Sequence, residues 1–138
     1  MKSKPLSIIS WSIQILLAAG VGLSGFFKMT TPYADLAKEM GWVQDFSPTV
    51  IYVIGFIEMH GAMFLIAPYL VRKSKIFSKM MPIKFVPIGA VLIGIMMIGA
   101  VGTHINRGEY SMAVIPFVLI IMVVFVFYTR RGLLKSSN

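Results

Sequence analysis

The strongest candidate for chemistry is Glu58, an acidic residue inside a long apolar stretch of the sequence. A helix that starts at Thr49 places Glu58 about 13.5 Å from its end, which is close to the middle of a membrane. An ionised carboxylate at that depth costs several kcal/mol unless it is paired, and otherwise it takes up a proton. We therefore expect Glu58 to face a bundle interior or a water-filled cavity, where it binds a ligand or handles a proton; the alternative is a structural hydrogen bond to a neighbouring helix.

Three further polar residues are candidates for the same ligand-binding or proton-handling site. Gln14 lies at a depth comparable to that of Glu58 and is either its partner or a hydrogen-bonding contact between helices. Lys28 and His104 lie near the outer ends of their helices, and both lean back into the membrane because side chains lean toward the N-terminus of a helix. We expect the four side chains to form a polar cluster in the outer half of the bundle. An axial offset of about 13 Å favours a water or a ligand between Glu58 and His104 over direct contact, and the alternative role of His104 is that of a partly solvated interfacial histidine.

Other kinds of site are missing from the sequence or disfavoured by it. The chain contains no cysteine, which excludes dithiol chemistry, disulfides and thiolate ligands for zinc or an iron–sulfur cluster. With two histidines, a self-contained metal or haem site is not expected, and His60 lies about 200° around its helix from Glu58. The stretch Gly20-Val21-Gly22 lies in an apolar run and is not a phosphate-binding loop. We therefore expect no catalytic residue, no metal site and a protein that is not an enzyme.

The elements that position these residues are four long apolar runs. The chain of 138 residues is 57% apolar and 13% charged, about half the charged fraction of a soluble domain. Each run meets the requirement of about 20 residues to cross a hydrocarbon layer about 30 Å thick. The sequence predicts one all-α domain over residues 1–138, a four-transmembrane-helix bundle with spans at 6–27, 49–70, 85–104 and 112–128. Small residues in the first and third spans are expected to let helices approach closely, namely Ala18, Gly22, Gly25, Ala90 and Gly94.

The charged residues predict the orientation of the bundle. The net charge of +8 comes from short basic segments between apolar runs, which indicates membrane topology rather than nucleic-acid binding. By the positive-inside rule, the termini and the second connection are cytoplasmic. The first run has 23 uncharged residues, whereas a cleaved signal core has about 7 to 15, so we expect it to be retained. The cytoplasmic side carries ten basic residues and no acidic one: Lys2, Lys4, Arg72, Lys73, Lys75, Lys79, Lys84, Arg130, Arg131 and Lys135.

The first outer connection has a helical pattern of its own. Thr31 is typical of an N-cap, Pro32 of a first helical position and Gly41 of a C-terminal stop. These signals predict a short amphipathic helix on the outer membrane face with Trp42 as an interfacial anchor, or a lid folded over the outer mouth of the bundle. Its apolar residues recur at helical spacing, at Tyr33, Leu36, Ala37 and Met40.

Five short segments have a recognisable order and spacing: Trp11 with Gln14, Gly25-Phe26-Phe27-Lys28, Gly55-Phe56-Ile57-Glu58, Leu65-Ile66-Ala67-Pro68, and Gly99-Ala100 with Thr103-His104. Together they resemble the DoxX-like family of small four-helix membrane proteins, from Trp11 to Arg130. The resemblance implies a multi-pass protein of the bacterial cytoplasmic (inner) membrane, with Lys28, Glu58 and His104 as its site. Members of this family include a small subunit of an archaeal thiosulfate:quinone oxidoreductase and a membrane component that links thiol and superoxide-detoxifying proteins. The lack of cysteine is at odds with a function that needs a thiol redox centre in this chain.

Three interpretations of the function stay open at this point. In the first, the protein is a non-enzymatic component of a redox or quinone-linked membrane system, and the polar cluster binds a quinone head group or another small amphipathic ligand. Glu58 would then accept or donate a proton, while His104 and Lys28 bind the ligand oxygens. The second is a proton-coupled small-molecule transporter, and the third is a ligand-free assembly or scaffold subunit with no cavity. The expected partners are the lipid bilayer and either subunits of a membrane redox complex or further copies of the chain.

Overall fold

The computed structural model describes residues 4–135, so Lys2 of the basic set lies outside the described residues. Within that range four long helices are apolar and long enough to cross a membrane, which confirms the predicted four-helix bundle. Each predicted span lies inside one of these helices. The α-helices are α1 (Lys4–Thr30), α2 (Tyr33–Glu39), α3 (Pro48–Val71), α4 (Phe77–Met80), α5 (Phe85–Asn106) and α6 (Tyr110–Arg130), with short 3-10 helices at Gly41–Asp45 and Arg131–Lys135.

The bundle has two unlike ends. One end is formed by residues 31–47, which we name the cover segment, and by the turn at residues 107–109; we name it the cover end. The other, the basic end, is formed by residues 72–84 and 130–135. The four long helices share an apolar core whose buried members are Leu17, Val21, Leu65, Val86, Ala90, Ile93, Met97, Val123 and Val126.

Two glycine pairs set the spacing between neighbouring helices. A Cβ atom on Gly25 of α1 would lie 2.6 Å from the carbonyl oxygen of Gly55 on α3. In the same way, a Cβ atom on Gly89 of α5 would lie 2.6 Å from the carbonyl oxygen of Gly61 on α3. Helices in lipid associate by close packing rather than by hydrophobicity, so the missing side chains are what allow these crossings.

The cover segment contains the predicted short helix, but its ends differ from the prediction. Thr31 does not cap α2, because its N–H bonds to the carbonyl oxygen of Phe27 at 2.9 Å and so completes the last turn of α1. Pro32, with extended backbone angles of φ −54° and ψ 137°, is the N-cap residue instead, and no side chain caps the helix. Gly41 does not stop α2 either; it begins the 3-10 helix, and Met40 is the C-cap.

The apolar face of α2 packs against the bundle. Leu36 is 2% exposed and forms a small apolar cluster with Val43 and Ile51, the latter in the first turn of α3. That turn is fixed by Ser47, whose hydroxyl accepts a hydrogen bond from the N–H of Val50, and by Pro48 at the first helical position. The cover segment is therefore attached to the start of α3, while its position at a membrane surface stays a prediction.

Candidate functional site

The centre of the candidate site is a buried ion pair between α1 and α3. The Nζ atom of Lys28 donates a hydrogen bond to Oε2 of Glu58 at 2.6 Å, and the side chains are 5% and 6% exposed. Lys28 also donates to Oγ of Ser24 at 2.6 Å, and its Nζ lies 5.7 Å from the centre of the Trp42 ring. Charge-assisted hydrogen bonds of this kind offset part of the cost of burying both ions.

The glycine crossing between α1 and α3 brings this pair together. Gly25 and Gly55 each lie three residues before one partner of the pair, and residues three apart share a helix face. A Cβ atom on Gly55 would lie 2.8 Å from the Cβ atom of Lys28. The two helices can therefore approach closely at the level where Lys28 meets Glu58.

A cavity of about 1030 Å³ lies beside the ion pair, in the half of the bundle next to the cover end. All four long helices and the cover segment contribute to its wall, which is mainly apolar. The polar side chains of the wall are Ser24, Lys28, Glu39, Glu58, Thr103, His104, Glu109 and Ser111. Such a cavity suits a mainly apolar ligand whose polar part is held by a few fixed groups.

His104 and Glu109 form a second polar pair in the same wall. The end of α5 is a Schellman turn, in which the N–H of Gly108 bonds to the carbonyl of Ile105 at 3.0 Å and the N–H of Glu109 to that of His104 at 2.9 Å. Gly108 has φ 72°, a left-handed conformation that favours glycine. The turn carries Glu109 back over His104, whose Nδ1 donates to Oε2 of the carboxylate at 2.8 Å.

Further ion pairs connect this polar pair to the cover segment. The Nε atom of Arg107 donates to Oε1 of Glu109 at 2.8 Å, and its Nη1 donates to Oδ2 of Asp45 at 2.7 Å. The hydrogen bonds that Arg107 donates to Asp45 and then to Glu109 raise the pKa of Arg107 above its ordinary value. The cover segment is thus tied to the turn between α5 and α6 across the cover end of the bundle.

Acidification is expected to loosen the cover segment. The hydrogen bonds from Arg107 and then from His104 hold the pKa of Glu109 below its usual 4.5. Because the folded-state pKa is the lower one, stabilisation by Glu109 is complete above the unfolded-state value and is lost as the pH falls through the folded-state value. A spin label at Ala34→Cys, on an exposed residue of a chain with no cysteine of its own, should become more mobile below pH 4.5.

The control for this titration is Glu109→Gln, because the cover segment has carboxylates of its own at Asp35, Glu39 and Asp45. In Glu109→Gln the label should already be mobile at pH 7, and the further change on acidification should be smaller than in the parent protein. An acid response of equal size in both proteins would contradict the role of Glu109.

Gln14 lies away from the other three candidate residues. It was expected to be level with Glu58, but α1 is displaced toward the basic end, so that Gly25 and not Gln14 is opposite Glu58. Gln14 is therefore about 16 Å from that level along the helix axis. Its Nε2 donates to the carbonyl of Leu65 at 2.5 Å, and its Oε1 accepts from Nε of Arg130 at 2.9 Å.

Gln14 belongs instead to a set of contacts at the basic end that joins α1, α3 and α6. Ser10 and Thr129 share a hydrogen bond of 2.8 Å between their hydroxyl oxygens. The guanidinium of Arg130 lies 5.0 Å from the centre of the Trp11 ring and 5.7 Å from that of Tyr69, which are cation–π distances. The structure thus brings Lys28 and Glu58 into direct contact, places His104 in the same cavity, and puts Gln14 elsewhere.

Several residues of the cavity wall were not singled out from the sequence. Ser24 lies one helical turn before Lys28, and Glu109 follows the Gly108 stop, so helix periodicity and the C-cap pattern could have indicated both. The half-buried ring of Trp42 lines the cavity, while its role as an interfacial anchor stays a prediction. His60 is not among the wall residues, and its Nδ1 lies 2.8 Å from the carbonyl oxygen of Phe56.

Four membrane-spanning helices around a cavity with a buried ion pair define a small multi-pass helical membrane protein. The family model described as the DoxX-like family matches residues 12–126 of the chain. The match covers well over half of the sequence, so the chain belongs to the DoxX-like family, as the resemblance indicated. No curated protein and no solved structure matches the sequence of this chain.

Proposed function

We propose that the protein is a non-enzymatic component of a redox or quinone-linked membrane system and that its cavity binds a quinone head group or a similar small amphipathic molecule. The observation that carries this proposal is the Lys28–Glu58 pair in the wall of a large apolar cavity. Pockets of about 300–1000 Å³ commonly enclose ligands of the size of a small drug. A quinone ring with its first side-chain unit is small enough to enter a cavity of this size.

The donors in the wall fit the oxygens of such a ligand. An ammonium group has three protons, and Lys28 uses two of them for Ser24 and Glu58. The third can serve a carbonyl oxygen of the ligand. Because Nδ1 of His104 donates to Glu109, the Nε2 atom accepts a hydrogen bond from a ligand hydroxyl when the imidazole is neutral and donates to a ligand oxygen when it is protonated.

Glu58 is the group that would accept or donate a proton at this site. It is the acidic residue inside the membrane-spanning segments, and its carboxylate already shares a hydrogen-bonded proton of Lys28. A ligand that changes its own protonation state beside this pair can therefore exchange a proton with it over one hydrogen bond. The pair positions the proton but supplies no electrons, so any redox step belongs to a partner.

The charge distribution supports an orientation with the cover end outside. The basic end carries the arginine and lysine residues of the 72–84 connection and of residues 130–135, and the positive-inside rule places such segments in the cytoplasm. In a bacterial cytoplasmic membrane the cavity would then lie in the outer half of the bilayer. The ligand-free scaffold interpretation predicts no cavity at Glu58, and the cavity described above favours a ligand instead.

Quinone binding is the test of this proposal. In a Trp11→Phe background, Trp42 is the remaining tryptophan and lies in the cavity wall, so a bound quinone should quench its fluorescence. We expect decylubiquinone to quench it saturably in lipid nanodiscs. In the double variant Lys28→Met/Glu58→Met, the affinity should fall by about tenfold or more, which corresponds to the loss of one good hydrogen bond, about 1.4 kcal/mol.

The matched control is His60→Phe, which changes a polar residue two positions after Glu58, about 200° around α3, that is not in the cavity wall. Its affinity should equal that of the parent. The proposal fails if the parent shows no saturable quenching, or if the double variant binds as tightly as the parent does.

A further inference from the structure

The helices α1 and α6 are joined at the basic end and separated toward the cover end. Their side-chain hydrogen bonds, Ser10 to Thr129 and Arg130 to Gln14, all lie at the basic end within the described residues. Leu17 of α1 and Val123 of α6 both belong to the buried apolar core of the bundle. Beyond that level the cavity lies between the two helices, with Ser24 on one wall and Pro116 on the other.

The edge of the cavity between these helices is apolar and exposed. Gly20 on α1 is exposed and has no atom within 4 Å of where its Cβ would be. On α6, Met112 and Ile115 line the cavity and are 55% and 63% exposed. Because these residues lie in helices that cross the membrane, the edge faces hydrocarbon rather than water.

The cover end presents the opposite chemistry. Asp45, Arg107 and Glu109 form a continuous chain of ion pairs there, which joins the cover segment to the turn after α5. An apolar chain that passed through this network would have to separate these charged groups and could offer them no hydrogen bonds in return, which is unfavourable. The easier path for an apolar molecule is therefore through the lipid-facing edge.

We propose that the gap between α1 and α6 is a lateral portal through which a ligand dissolved in the bilayer enters the cavity. The inference rests on the proposed function for the nature of the head group, and it adds a ligand class: a molecule with a long apolar chain. The head group reaches the Lys28–Glu58 pair, while the chain remains between the helices and extends into the lipid. A quinone without a side chain lacks the part that this gap accommodates.

Two glycine variants test the portal. In Gly20→Phe the added ring fills the gap without a backbone clash, because nothing lies within 4 Å of the new Cβ. Gly102→Phe is the matched control, since Gly102 of α5 is also open around its Cβ but does not line the cavity. In the Trp11→Phe background, the rate of Trp42 quenching by decylubiquinone should fall by about tenfold in Gly20→Phe, as expected when 1.4 kcal/mol is added to a barrier, and should be unchanged in Gly102→Phe.

A second readout does not depend on a quinone. In the Trp11→Phe background, bilayers made of phospholipids with brominated acyl chains should quench Trp42, because a lipid chain enters the gap. The quenching should be unchanged by Gly102→Phe and weaker in Gly20→Phe. If brominated chains behave in this way but decylubiquinone does not bind, the portal stands and the quinone proposal fails.

If the ligand enters from the aqueous side instead, its binding rate should depend on the cover end and not on Gly20. Arg107→Gln breaks the tie between the cover segment and the turn after α5. If decylubiquinone binds faster in Arg107→Gln and at the parent rate in Gly20→Phe, the lateral portal is wrong. The portal is also wrong if Gly20→Phe and Gly102→Phe behave alike toward both quenchers.

Discussion

Lys28→Met is expected to lower the free energy of unfolding by about 3–5 kcal/mol, the usual cost of removing one partner from a buried ion pair. The carboxylate of Glu58 is 10 residues into α3 and cannot reach water by a small movement, so it must take up a proton or stay unpaired. Glu58→Met should cost less, because Lys28 is two residues from the end of α1 and its long side chain can extend toward the membrane surface. Reversible unfolding in mixed detergent micelles, followed by helical circular dichroism, measures both changes.

The double variant Lys28→Met/Glu58→Met completes the thermodynamic cycle. With both charges removed and two apolar side chains of similar size in their place, we expect stability close to that of the parent. The coupling energy between the two positions is then several kcal/mol. If the two single losses simply add in the double variant, the ion pair is not the interaction that holds Lys28 and Glu58 together.

Gly25→Ala is expected to destabilise the protein through a different mechanism. The new methyl group would lie 2.6 Å from the carbonyl oxygen of Gly55 and 2.8 Å from the backbone nitrogen of Met59. Neither is the end of a flexible side chain, so α1 and α3 must move apart. Overpacking of this kind costs about 1–3 kcal/mol, and separation of the helices also stretches the Lys28–Glu58 hydrogen bond.

Two comparisons isolate these contributions. Gly20→Ala makes the same substitution on the same helix where nothing lies within 4 Å, and it should leave the free energy of unfolding nearly unchanged. In the Lys28→Met/Glu58→Met background, Gly25→Ala should cost less than in the parent because no ion pair remains to be stretched. Equal costs in the two backgrounds would mean that the glycine crossing and the ion pair are independent.

The membrane spans and the central acid could be predicted from the sequence because they depend on local properties. A charge inside a long apolar run is visible without knowledge of the fold, and the lean of side chains along a helix directs Lys28 toward Glu58. The position along the bundle axis at which two helices face each other depends on the contacts between them, and the sequence of either helix alone does not show it. Gly25 against Gly55 sets that level for α1 and α3, and it separates Gln14 from Glu58 even though each lies near the middle of its own apolar run.

The polar pair of His104 and Glu109 also depends on how the chain folds. The sequence identified the histidine, but its partner depends on the Schellman turn that folds Glu109 back over the last turn of α5. The cover segment was recognised as a helix from its apolar spacing. Its ends were misplaced because Thr31, free to cap in an isolated peptide, completes α1 in the folded chain.

The buried ion pair also determines how the site responds to the electric field across the membrane. One positive and one negative group 2.6 Å apart carry no net charge, so a membrane potential exerts almost no net force on the pair. A single uncompensated charge would instead change in energy by about 2.3 kcal/mol per 100 mV over the full thickness of the membrane. A neutral ligand can therefore occupy the cavity to the same extent in an energised and in a depolarised membrane.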